Sequence, residues 1–126
     1  MTRRHCLVIA LVVVLLIAGA CSAWHAILSI HIAFADDQTR VFEEMVDRAS
    51  AALSTSPPDV TTAIGSLKYL HYHYPSGTKQ VVGSRLEQIV ERSRHIAEKR
   101  IMDMLRVATG DDLGDDPEAW LERYFP

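Results

Sequence analysis

From His5 to Ala35 the chain carries no Asp, Glu, Lys or Arg, and the densest part, Leu7–Ile17, reads LVIALVVVLLI. A run this apolar has no place on the surface of a small water-soluble domain, whereas about 20 such residues match the roughly 30 Å hydrocarbon core of a bilayer. The chain is therefore expected to be membrane-targeted. Residues 1–35 form an anchor or signal segment, and residues 36–126 form a small polar domain outside the lipid.

The flanking charges give the expected orientation. Arg3 and Arg4 precede the run, and Asp36 and Asp37 follow it. Cationic flanks stay on the cytoplasmic side, so the N-terminus is expected inside and the C-terminal domain outside the cytoplasm. Cys6 to Trp24 is 19 residues, a helical rise of about 28 Å, enough to span, with Trp24 at headgroup level. Besides this uncleaved single-pass anchor, two processing routes stay open. Ile17-Ala18-Gly19-Ala20-Cys21 resembles a bacterial lipobox, which would make Cys21 a lipidation site; against it, position 18 is Ala and the chain stays apolar after Cys21. Ala33-Phe34-Ala35 is an A-x-A cleavage site just before Asp36, although its apolar region would be long for a signal peptide.

Cys6 and Cys21 are the only cysteines, and both lie in the apolar segment. The exported part therefore has no disulfide framework and no thiolate metal site. Without Arg3 and Arg4 it holds 11 Lys and Arg against 16 Asp and Glu, a net charge of −5. No basic cluster offers the cationic footprint that nucleic acid requires, so nucleic-acid binding is not expected.

The pattern in residues 36–126 is all-α. Phe42, Met45, Val46, Ala49 and Leu53 recur at helical spacing, until Pro57 and Pro58 stop the helix. Ser56 is the expected cap of a second helix, whose apolar arc carries Val60, Ala63, Ile64, Leu67, Leu70, His71 and Tyr74. Ser84-Arg85-Leu86-Glu87 is a capping box that opens a third helix, closed by Gly110. Its expected apolar face is Leu86, Ile89, Val90, Ile96, Ala97, Ile101, Met104, Leu105 and Ala108, with Glu87, Glu91, Arg92, His95, Glu98, Lys99, Asp103 and Arg106 opposite. Asp116-Pro117-Glu118 starts a short helix bearing Trp120, Leu121, Tyr124 and Phe125. The expected architecture is a membrane or signal helix, then an up-down-up three-helix bundle with the C-terminal turn as a lid.

Three features bear on chemistry. His71 and His73, two apart on a helix, point about 200° away from each other and cannot share one ion. His71 reads as a hydrogen-bonded, half-buried residue, and His95 with Glu91 as a surface contact one turn long. Asp111, Asp112, Asp115 and Asp116 are acidic enough for calcium, but the EF-hand pattern fails because Gly114 stands fourth from Asp111. Glycine elbows and phosphate-cradling loops are missing. No catalytic, cofactor-binding or metal-ligating residue is assigned, no cofactor is expected, and the chain is not read as an enzyme. The segment Tyr74, Pro75, Ser76, Gly77, Thr78, Lys79 and Gln80 reads as an inter-helix loop and a candidate interaction loop.

The stretches Tyr74–Gln80 (YPSGTKQ), Gly83–Leu86 and Ile89–Arg92, with the tail Thr109–Trp120 (TGDDLGDDPEAW), resemble small uncharacterised membrane-anchored proteins of planctomycete-type bacteria. The TG…G…W ending is also similar to one that follows helical repeats in some bacterial HEAT-type proteins. The resemblance implies a bacterial source and a helical extracytoplasmic domain, and brings no activity, cofactor or site. The expected function is a protein–protein interaction or scaffolding role with an unidentified protein partner. The alternatives are an envelope lipoprotein, or an envelope enzyme or metal-dependent module using His71, His95 and the 111–116 loop.

Overall fold

The computed structural model describes residues 3–73 and 80–125. Among them the chain is all-α, with α1 over Arg3–Leu53, α2 over Val60–His73, α3 over Arg85–Thr109 and α4 over Pro117–Tyr124. It divides into two compact units, residues 1–33 and 34–126.

In the first unit Leu7, Leu11, Leu16, Trp24 and Ile30 are all exposed. Among the described residues α1 is the one helix long and apolar enough to cross a membrane, a test that a signal sequence near the N-terminus also passes. Two of its serines bond within the helix. Ser22 Oγ donates to the Ala18 carbonyl at 2.9 Å and Ser29 Oγ to that of His25 at 2.8 Å. Hydrocarbon demands such internal pairing, since it offers no partner of its own.

The second unit is built on the part of α1 that carries Ala35, Phe42, Met45, Val46 and Ala49. These pack with Ala63, Ile64, Leu67 and Leu70 of α2, and with Val90, Ala97, Ile101, Met102 and Leu105 of α3. Groove neighbours run in the same order on α1 and α3: Phe42 and Val46 with Ser93 and Ala97, then Ser50 and Leu53 with Asp103 and Val107. The two helices are therefore parallel, with α2 returning between them, which is the up-down-up order.

Helix ends follow local chemistry. Ser84 accepts from the Glu87 N–H at 3.1 Å, while the Glu87 carboxylate takes the Gly83 N–H, so the capping box closes one residue earlier than Ser84 itself. Gly110 ends α3 at φ +78° and returns its N–H to the Arg106 carbonyl at 3.1 Å, a left-handed turn that glycine adopts without strain. The cap of α2 differs from the sequence expectation: it is Asp59, not Ser56. Asp59 Oδ1 accepts from the Thr62 N–H at 3.0 Å and Oδ2 from the Thr62 hydroxyl at 2.6 Å. The physical reason is the Pro57-Pro58 pair: Pro58 disfavours the helical region for the residue before it, so the helix starts only after both prolines.

The inner face of α3 also differs. It consists of Val90, Arg94, Ala97, Glu98, Ile101, Met102 and Leu105, an arc of roughly 140° at 100° per residue. Ile89 and Ile96, expected inside, are exposed, whereas Glu98, expected outside, is buried. Sorting by apolarity drew the face toward the two isoleucines, roughly 100–120° round the helix from Val90.

The lid forms as expected. Trp120 is fully buried, Leu121 nearly so, and both join the core. The Trp120 indole N–H donates to the Gly114 carbonyl at 2.9 Å, which answers the need of a buried indole for a partner. Phe125 stays partly exposed, with Lys68 Nζ 3.7 Å from its ring centre.

Candidate functional site

The densest polar cluster among the described contacts lies where α2, α3 and α4 meet, and Glu98 is its centre. This side chain is 3% exposed. Its Oε1 accepts from Arg94 Nη1 at 2.7 Å and lies 3.3 Å from His71 Nδ1; its Oε2 lies 3.2 Å from His95 Nδ1. Helical spacing explains the gathering, because Glu91, Arg94, His95 and Glu98 succeed one another at three and four residues on one side of α3. Arg94 also reaches Glu91 through Nη2 and Nε. Burial works against the Arg94 charge, but the hydrogen bond to Glu91 and the charges of Glu98 and Glu91 outweigh it and raise its pKa.

The cluster has an outer half. His71 Nε2 lies 3.3 Å from Glu118 Oε1, and the Tyr72 hydroxyl donates to the two oxygens of Glu118 at 3.0 and 3.1 Å. The bond to Glu118 pushes the Tyr72 phenol above its ordinary pKa. His95, 63% exposed, has its Nε2 3.0 Å from Glu91 Oε1. The sequence is thus a chain of acceptors and imidazoles, Glu91–His95–Glu98–His71–Glu118, ending on Tyr72. Among the described residues no group of three or more His, Cys, Asp and Glu side chains is arranged to hold a metal ion. Arg94 within the cluster supplies the positive charge that its carboxylates face.

The acidic loop is likewise tied by cations. Arg106 donates from Nε to Asp112 at 2.8 Å and from Nη2 to Asp115 at 3.2 Å, and it also holds Asp103. Lys99 Nζ meets Asp115 at 3.0 Å. Hydrogen bonds from Arg106 to Asp112, and from Lys99 and Arg106 to Asp115, keep both carboxyls below the usual range. Arg106 Nη2 donates to the Gly114 carbonyl at 3.1 Å as well, so loop and lid share one acceptor. Asp111 accepts from the Tyr124 hydroxyl, which fastens the far side of the lid.

Of the candidate interaction loop, residues 74–79 lie outside the described residues. Gln80 is buried, and its Nε2 donates to Gln38 Oε1 at 3.3 Å, holding the entry to α3 against α1. Cys21 is exposed on α1. From sequence alone Arg94 has no assigned role, Glu118 only opens α4, and Glu98 falls on the polar face of α3, whereas its side chain is buried. The signal available for two of them was the Arg94–Glu98 spacing of four, which falls on the arc of Val90, Ala97 and Ile101. Comparison with known protein families, curated proteins and solved structures finds no match for this chain.

Proposed function

We propose that this chain is a single-pass bacterial envelope protein, anchored by the apolar part of α1, whose helical domain binds another protein as an accessory or scaffold. The observation that carries the reading is the apolar stretch of α1, whose leucines, valines and isoleucines are exposed while the second unit closes a core of its own. Exposed apolar surface of that extent is what a lipid environment covers. Arg3 and Arg4 before the stretch, and Asp36 and Asp37 after it, support a cytoplasmic N-terminus and an extracytoplasmic domain.

Cross-linking in native membranes followed by mass spectrometry tests the role. A reproducible hetero-complex is expected, and recovery only as an uncomplexed monomer overturns it. The intact mass of the membrane-extracted protein tests the anchor. A full-length mass establishes a retained helix, and loss of residues 1–20 with lipid added at Cys21 replaces it with a lipoprotein.

A further inference from the structure

His71 leaves α2 with one ring nitrogen toward each neighbouring helix. Nδ1 is 3.3 Å from Glu98 Oε1 on α3, and Nε2 is 3.3 Å from Glu118 Oε1 on α4. Ionised carboxylate oxygens only accept, so each contact needs a proton on the facing nitrogen. A neutral imidazole carries one N–H and an imidazolium two.

The two carboxylates do not compete equally for a single proton. Glu98 is 3% exposed and fixed by Arg94 and His95, while Glu118 is half exposed and already accepts from Tyr72. An acceptor buried away from water loses more when a donor is withdrawn. The neutral ring therefore carries its one N–H on Nδ1, donating it to Glu98, and turns the bare Nε2 lone pair toward Glu118.

We propose that His71 is a proton-responsive tie between α2 and α4, closed as the imidazolium and loosened as the neutral ring. The device does not depend on the interaction role proposed above. Its target is suited to it, because an eight-residue helix is too short to hold itself and takes its position from contacts. Protonation replaces a lone pair facing a carboxylate by a charge-assisted hydrogen bond.

Charged and titratable groups face the ring from three helices. From α3 these are Glu98 with Arg94 and His95 on it, and Glu91 beyond. From α4 they are Glu118 and, acting on neighbouring Tyr72, Glu122. From α2 it is Tyr72, ring edge toward His71 at 4.9 Å between centres. Histidine is the side chain that changes charge between pH 5 and 8, so α4 docks more firmly as pH falls through that range. The contacts of His95 are to Glu91 and Glu98 on its own helix, not to α4.

The test is amide hydrogen exchange of residues 118–124, read by mass spectrometry on the full chain in detergent micelles and corrected for intrinsic rates. Protection is expected to be about fivefold greater at pH 5.5 than at pH 8, the difference between a neutral and a charge-assisted bond. His71→Gln is expected to abolish the difference and His95→Gln to keep it. An unchanged wild type overturns the proposal, as does a difference that survives His71→Gln. So does one that disappears only in His95→Gln. If circular dichroism shows that His71→Gln does not fold, Glu118→Gln at its half-exposed site carries the test: loss of the difference supports the tie, and its retention overturns it.

Discussion

Arg94 and Glu98 meet at 2.7 Å one helical turn apart, with side chains only 10% and 3% exposed. Two charges on the inner face of a helix are held there by each other and by the histidines and Glu91 around them. Removing Glu98 leaves Arg94 buried with Glu91 as its remaining carboxylate partner, and losing one charged hydrogen bond there costs roughly 1.5–3 kcal/mol. Glu98→Ala is therefore expected to destabilise the domain by about that amount in urea unfolding, whereas Arg94→Met with Glu98→Leu restores most of the loss. A double variant no more stable than Glu98→Ala would show that the cluster matters by more than its charges.

The lid makes a second, separable contribution. Trp120 is fully buried and Phe125 about half exposed. Trp120→Ala is expected to cost about 3–5 kcal/mol in thermal unfolding, and Phe125→Ala less than about 1 kcal/mol. Equal effects would mean that α4 does not close the core.

Cap assignment distinguishes two neighbouring residues. Asp59→Ala removes both acceptors used by Thr62 and is expected to lower the unfolding midpoint. Ser56→Ala is expected to leave it unchanged. The reverse ranking in a thermal scan would place the start of α2 before the prolines.

Acid is expected to loosen the 111–116 loop. Asp112 and Asp115 are held below their ordinary values, chiefly by hydrogen bonds from Arg106 and from Lys99 respectively. A carboxyl depressed in the folded state contributes stability that is present above its unfolded value, about 3.9, and lost as pH falls through the folded value. The midpoint is expected to drop below about pH 4, and Arg106→Gln to shrink that drop. An acid limb unaltered by Arg106→Gln would remove the loop as its source.

Most of the fold was legible because helix formation here is local. Ser84 and Glu87 cap their own helix, Gly110 ends it, and the 3.6-residue period of Ala63, Ile64, Leu67 and Leu70 names the inner face of α2. The central cluster was not legible, because it depends on which side of α3 meets α2. Ile89 and Ile96 are good core residues by type, and only packing reveals that Arg94 and Glu98 occupy that side. Glu118 was harder still: 47 positions from His71, it reaches the ring only because Trp120 draws α4 onto the bundle.

Gly114, which accepts from both Arg106 and Trp120, has a bearing on biogenesis. The anchor for the lid lies in the loop that precedes it, and the indole that fills the core comes six residues after that anchor. During synthesis the three bundle helices are complete before their shared interior is. A chain cut short at Asp116 keeps all three bundle helices but lacks Trp120, and the apolar surface it leaves open beside Leu67, Leu70 and Leu105 is the kind through which incomplete chains aggregate.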